Sequence, residues 1–418
     1  MAKIIIIAYS NQIWVHPLNP DPFVQGFSNA LARMGNSVKS IILNDLLQTE
    51  INNEVISYAP DLIISFNGAG VSDTILKRTH CAVVIDVCDA LCYLRNIEII
   101  KTELDRFYFI SGSREFIEQT KTFFPDLPKN HISYLGHVTD LRKKDMEQDI
   151  PLSFVGSLGN WDKTVEFYWQ NAFQKTDFSN TDQIKELMKK KEAFQKQMNE
   201  FASRALDLSI LSDPVLDDFS ETCHNRDYAQ AVIMLRTCNL RFAVLEQLMD
   251  LGLKIYSYPF GMVDAIRYSF KMFECFDFTP SVTLADSEIT FNRSKISLNL
   301  PHGQTKHSFS WRVPDILASN ACLLSNYVTE LKELMTGYID IPMYESSAEA
   351  RELAQKLLKD DVWRKEIVAA SQQMIEDKCR FEHRLRKVAE ETGLKLEYPE
   401  EKGHQELIRV SDKYNHKY

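Results

Sequence analysis

The stretch KISLNLPHGQTKHSFSWRVPDILASNACLLSNYVTELKELM, Lys295 to Met335, decides how the chain is read. Ile296 to Leu300 is a short apolar run ending in a polar loop, Pro301 to Ser310, that holds two histidines and a glycine. Trp311 to Ser319 has helical spacing, and Pro314 is tolerable there only in a first turn, where its missing N–H costs nothing. Asn320 is placed to close that helix in a left-handed conformation. Ala321 to Ser325 reads as a second buried strand, and Thr329 to Met335 as the start of another helix. Strand, loop, helix, strand and helix in this order form the repeat of a parallel α/β sheet. Such sheets bind ligands at the carboxyl ends of their strands, against helix N-termini. His307, Ser308, Ser310, Arg312 and Asp315 fall at that place, with Asn299 at the strand end and His302 in the loop, so the site is expected there.

The same alternation extends towards the N-terminus. Lys3 to Ala8 is a near-continuous apolar run, as expected of a strand buried on both faces. Ser37 to Leu43, Asp61 to Phe66, Ala82 to Val87, Phe107 to Ser111 and His131 to Leu135 complete six strands with helices between them, a doubly wound half of Rossmann type. No G-x-G-x-x-G follows the first strand, which weakens a dinucleotide-cofactor reading. The charged stretch Asp140 to Asp149 reads as a linker. Beyond it Ile150 to Gly156 starts a strand again and Ser157-Leu158-Gly159 a turn. Trp161 to Leu211 has a helical pattern whose Lys189-Lys190-Lys191 cluster reads as a solvated face. Cys238 to Asp250 reads as a helix, Lys254 to Tyr258 as a strand, and Ala348 to Glu391 as an amphipathic helical segment. Tyr398 to Tyr418 is polar and expected to fray. The reading is therefore α/β: two Rossmann-like lobes, 1–148 and 149–377, facing each other across a cleft. A helical insertion occupies about 161–236, a helix at about 378–395 belongs with the first lobe, and 398–418 is a tail.

Composition narrows the function. In 418 residues, 44% are hydrophobic and 25% charged, the proportions of an ordinary soluble globular protein. A net charge of −10 argues against a nucleic-acid partner, which needs clustered basic residues. The start, MAKIIIIAYS, has too short an apolar run for a signal peptide, and no stretch approaches the ~20 apolar residues of a membrane span. The eight cysteines contain no C-x-x-C pair and lie mostly in apolar segments, as reduced buried thiols do. A cytoplasmic protein with at most peripheral membrane contact is expected.

Four segments together resemble the CgeB-type (spore maturation protein-like) branch of the GT-B glycosyltransferases, within the glycosyl transferases group 1. They are SFVGS (Ser153 to Ser157), NLRFAVLEQLMDLGLKIYSYPFG (Asn239 to Gly261), SKISLNL with WRVPDILASNACLLSN (Ser294 to Leu300 and Trp311 to Asn326), and CRFEHRLRKV (Cys379 to Val388). Their order matches that family's second lobe and its closing helix, which crosses back onto the first lobe. The resemblance implies a nucleotide-sugar donor held by the second lobe and a glycan, glycolipid or protein hydroxyl as acceptor. In related retaining enzymes two Glu eight positions apart contact the sugar and the ribose. Here those positions hold His307, a departure, and Asp315, which keeps the carboxylate.

Arg312, one turn before Asp315, is placed to meet diphosphate charge with forked donors. The Gly156-Ser157 turn offers backbone N–H groups to the same phosphates, and Lys163 is a further candidate. No metal-ligand spacing is present, so neither a metal nor another cofactor is expected. On the acceptor side the loop Tyr9 to Pro22 carries His16 and Asp21 as candidate bases, the loop Asp86 to Asp89 carries two carboxylates, and Ser111 to Arg114 follows a strand. Each has a plainer role open to it: Asp315 can serve the helix dipole, Arg312 a surface pair, Asn299 a sheet end. Two other functions fit the fold, a nucleotide-sugar epimerase and a non-catalytic two-lobed sugar- or nucleotide-binding protein.

Overall fold

The computed structural model describes residues 1–9, 22–43, 48–158, 170, 173–203, 226–257, 269–279 and 283–409. Its strands are β1 (Lys3–Tyr9), β2 (Ser37–Leu43), β3 (Leu62–Phe66), β4 (Ala82–Asp86), β5 (Phe107–Ser111), β6 (Ile132–Tyr134), β7 (Ile150–Val155), β8 (Leu253–Tyr256), β9 (Ser294–Asn299), β10 (Cys322–Asn326), β11 (Met343–Tyr344) and β12 (His404–Arg409). They form a seven-stranded sheet ordered β12-β2-β1-β3-β4-β5-β6 and a five-stranded sheet ordered β11-β10-β9-β7-β8. Every pairing is parallel.

The isoleucine run of β1 follows from helices covering both faces of its sheet. Ile5 and Ile7 pack in one apolar cluster with Ile41, Ile63 and Val83. Ile4 and Ile6 point the other way, into a cluster with Phe27, Leu31 and Leu385. Each fully buried isoleucine contributes about 1.5–3 kcal/mol relative to exposure. A third cluster, including Leu152, Ile255, Ile296 and Leu323, fills the five-stranded half.

The chain passes between the halves twice, and the two passages lie side by side. Thr139 bridges Arg380 in parallel register, and its N–H donates to Cys379 O at 2.9 Å. From there helix Phe381–Thr392 packs on the first sheet, burying Phe381, Leu385 and Val388, as expected of a closing helix that crosses back. Gly26 makes this possible, since a Cβ there would lie 2.2 Å from the Phe381 ring.

Two expectations are corrected. The tail expected to fray from Tyr398 instead gives β12, whose 404–409 backbone pairs with β2. An edge strand needs only one paired backbone side and one inward apolar residue, here Leu407, so its polar composition concealed it. Asn320 is not left-handed: the helix ends at Ala318 in the right-handed region, and the Asn320 N–H donates to Asn292 Oδ1 at 3.1 Å. The helix read from Cys238 starts earlier, as Arg226–Glu246. Within the expected insertion, helix Thr181–Ser203 is described, and Lys189 and Lys191 on it are exposed.

Candidate active site

The carboxyl ends of the strands in both sheets face one cleft of about 800 Å³. Gly156 and Ser157 (after β7), Ser257 (after β8), Asn299 (end of β9) and Asn326 (end of β10) line one wall. Asn67 (after β3), Cys88 and Asp89 (after β4), Ser113 (after β5) and His137 line the other. Parallel sheets place their loops and helix N-termini at this edge, which is why it holds the polar groups.

Arg241, on helix Arg226–Glu246, is the main cation of the second-lobe wall. It is 7% exposed, its guanidinium lies 5.6 Å from the Phe154 ring centroid, and Nε donates to Pro301 O at 3.2 Å. Nη1 donates to both the backbone O and Oγ of Ser157. Burial, opposed by Cys238 and reinforced by the charge of Arg312, lowers its pKa to about 10, so it stays a cation. Among the described residues none of its hydrogen-bond partners is a carboxylate. Arg312 lines the same cleft and makes no ion pair among the described residues. Two guanidinium groups on one cleft wall, neither in an ion pair among the described residues, are suited to meet an anion. His302 lies beside Arg241 with its Nδ1 buried and unpartnered, and burial and the Arg241 charge lower its pKa to about 3.

The expected residues divide as follows. Ser310 lines the cleft and donates to Asn299 Oδ1 at 3.1 Å, while Asn299 Nδ2 donates to Ser325 Oγ at 2.8 Å, so Asn299 holds Ser310 in place. Asp315 reaches the cleft but is only 7% exposed, and its Oδ1 accepts from Thr139 Oγ1 at 2.5 Å. Only the expected exposure is corrected: one oxygen of this cleft-lining carboxylate braces the passage between the lobes. Of the expected turn donors, the Gly156 N–H is engaged by Tyr256 O at 3.0 Å, while the Ser157 carbonyl and hydroxyl accept from Arg241. His307 is exposed and lies outside the cleft lining; its backbone N–H donates to Glu115 Oε1 at 2.9 Å. His16, Asp21 and Lys163 lie outside the described residues.

The opposite wall presents Asp89, which the sequence offered only as one of two carboxylates in a loop. Its Oδ2 accepts from Asn67 Nδ2 at 2.8 Å, and its Oδ1 accepts from Gln304 Nε2 of the second lobe at 3.1 Å. Asn67 sits at φ 49°, and from there its Oδ1 also accepts from the Cys88 N–H at 3.1 Å. The other carboxylate of that loop, Asp86, is buried against Arg384 of the crossing helix at 2.9 Å. Burial raises its pKa to about 6, although Arg384 opposes the rise. His137 is buried against Gly112 with Nδ1 unpartnered, and burial together with Arg384 lowers its pKa to about 3.

The loop Pro301 to Ser310 is gripped from the first lobe. Ser113 Oγ and Ser308 Oγ are 2.6 Å apart, and Ser308 Oγ donates to Glu330 Oε1 at 2.9 Å. Glu330 Oε1 also accepts from the Arg114 N–H at 3.0 Å. The walls are thus held in mutual register. Among the described residues no group of three His, Cys, Asp or Glu side chains is arranged to hold a metal ion, and no helix is long and apolar enough to cross a membrane.

Residues 242–390 match a family model described as glycosyl transferase-like. No curated protein matches the sequence. Sucrose-phosphate synthase from Thermosynechococcus elongatus is similar in structure, with a TM-score of 0.53 at 8% identity over 93% of this chain and 98% of that one. Anabaena Alr3699/HepE in complex with UDP and glucose gives 0.51 at 10% identity over 93% and 99%. T4 phage BGT in complex with UDP and Mn2+ gives 0.48 at 12% identity over 94% and 100%. The two parallel sheets and these structural likenesses give the chain the GT-B fold, and its residues 242–390 are similar to a glycosyl transferase-like family.

Proposed function

We propose that the protein moves a sugar from a nucleoside-diphosphate donor, held by the second lobe, to a hydroxyl of a glycan, glycolipid or protein presented at the first. The observation that carries this reading is the pair Arg241 and Arg312, two cations on one cleft wall with no carboxylate partner among the described residues, in the cleft that Asp89 lines from the other wall. Asp89 takes the proton of the acceptor hydroxyl, and the acceptor oxygen bonds to the anomeric carbon. The bond from that carbon to the phosphate oxygen breaks, and its electron pair leaves on the diphosphate, which Arg241 and Arg312 stabilise. Attack from the face opposite the leaving group inverts the anomeric centre. Because guanidinium groups meet the leaving charge, the reaction runs without a metal. Within the class, the four sequence landmarks support the CgeB-type branch.

The test is release of nucleoside diphosphate by the purified chain from a panel of nucleotide sugars, with and without glycan and glycolipid acceptors and with EDTA added. Acceptor-dependent release that survives EDTA, with an inverted product by proton NMR, is expected. Failure of every nucleotide sugar to bind would sink the reading. Isomerised free donor without acceptor would favour an epimerase, and binding without turnover a binding protein.

A further inference from the structure

The cleft continues past β8. Phe276 bridges Ile255 of β8 in parallel register, so the backbone there occupies one more strand position along the carboxyl edge. Strands in a sheet are spaced about 4.8 Å apart, which puts Asp277 roughly 10 Å along the edge from the Gly156-Ser157 turn. Arg241, fastened to that turn, marks the phosphates. The sugar end of the donor must run towards Asp89 and Gln304, where the lobes meet. The base must then run the other way, along the edge.

That end is built differently from the rest of the wall. Phe278, 72% exposed beside the buried Tyr256 and Phe276, supplies aromatic surface of the kind bases stack on. Among the described residues Asp277 accepts from the Thr279 N–H at 2.9 Å on Oδ1 and from Tyr256 OH at 3.4 Å on Oδ2, and each carboxylate oxygen has a second lone pair for a further donor. Burial works against its ionised form, but hydrogen bonds from the Thr279 backbone and hydroxyl, the charge of Lys254 and the Tyr256 hydroxyl together outweigh it and hold its pKa below the usual carboxylate range. Ser257 Oγ is buried there without a partner.

Resting on the transferase reading, we propose that the donor's base is guanine and that Asp277 reads it. A carboxylate is an acceptor only, so it selects a base with adjacent donors. Guanine presents N1–H and N2–H2 side by side, next to its O6 acceptor, and the Ser257 hydroxyl is a donor of the kind O6 needs. Uracil presents one N–H between two carbonyls, so a carboxylate facing it meets a repelling oxygen. Adenine and cytosine present an amino group beside an unprotonated ring nitrogen. Guanine alone pairs with a carboxylate through two adjacent N–H donors.

The experiment is isothermal titration of the full chain with GDP, UDP, ADP, CDP and dTDP, repeated with Asp277→Asn, an isosteric change whose fold is checked by thermal unfolding. GDP is expected to bind about tenfold to a hundredfold more tightly than UDP, the discrimination of one bidentate pair. Asp277→Asn is expected to remove most of that preference while leaving UDP affinity within about twofold, since only the guanine contact uses the carboxylate. Tighter binding of another nucleotide, or an unchanged GDP affinity in the variant, overturns the guanine assignment and leaves the transferase standing. Binding of none overturns both.

Discussion

Gln304 Nε2, in the loop after β9, donates to Asp89 Oδ1, in the loop after β4, at 3.1 Å across the cleft. This bond joins the loop after β9 of the second lobe to a first-lobe carboxylate, so the group proposed to take the acceptor's proton is set by the lobe proposed to hold the donor. Asn67 supports the other oxygen. The carboxylate is thus oriented from both walls before any ligand enters.

Replacing Asp89 with Asn keeps its shape and removes its basicity. Turnover is expected to fall by about 10²–10⁴-fold, the usual contribution of a positioned base. Nucleotide affinity by titration should stay within about threefold, since the proposed reading places Asp89 on the acceptor side. Loss of nucleotide binding with turnover per bound donor preserved would instead make Asp89 a donor-side residue.

The two cleft arginines should separate by burial. Arg312→Ala is expected to weaken nucleoside-diphosphate binding by roughly tenfold or more and to leave the bare nucleoside unaffected, at unchanged stability. Equal loss for both ligands would remove its phosphate role. Arg241→Ala should cost diphosphate affinity and stability together, because the carbonyls of Ser157 and Pro301 then lose their donors. A destabilisation of about 1–3 kcal/mol in a denaturant titration is expected for such unmade bonds.

Asp86 and Arg384, both 1% exposed, form a buried ion pair between β4 and the crossing helix. Removing one partner strands a charge, so Arg384→Met is expected to destabilise by about 3–5 kcal/mol. The double change with Asp86→Asn should recover part of that. Equilibrium unfolding of the three variants checks it, and strictly additive losses would show that the two residues do not interact.

His137 links stability to pH. Its native pKa, about 3, lies below the ordinary histidine value of 6.5, so the unfolded chain takes up a proton that the folded one refuses. Its contribution is complete above pH 6.5 and is lost as pH falls towards 3. Asp86, raised to about 6 from 3.8, works in the opposite sense over its own window, its contribution being lost as pH rises. The stability difference between wild type and His137→Asn should therefore shrink steadily from pH 7 to pH 4 when melting temperatures are compared. A pH-independent difference would mean that the histidine is not buried neutral.

Asp315→Ala, from its placement, should act on stability first. Its carboxylate accepts from Thr139 in the passage between the lobes. A loss of about 1–3 kcal/mol is expected from the unsatisfied hydroxyl. Weakened nucleotide binding at unchanged melting temperature would restore the ribose role read from its position.

The sequence by itself determined the elements that depend on neighbouring residues. Apolar runs such as Ile4–Ile7 and Ile296–Leu300 declare buried strands, and Pro314 declares a first helical turn, because strand burial and proline geometry are local constraints. The six strands of the first half and the loop at the carboxyl end of β9 that lines the cleft follow from them. The tertiary structure alone decided which polar groups reach the cleft. Gln304 and Asp89 are 215 residues apart, and Thr139 and Asp315 are 176 apart. His307 shares a loop with Ser310, yet only Ser310 turns into the site. Arg241 looks like any helix arginine until the walls of Phe154, Ser157 and Pro301 close around it. Backbone periodicity sets where a loop falls, but the direction of each side chain within it is set by packing partners that the fold brings from far along the chain.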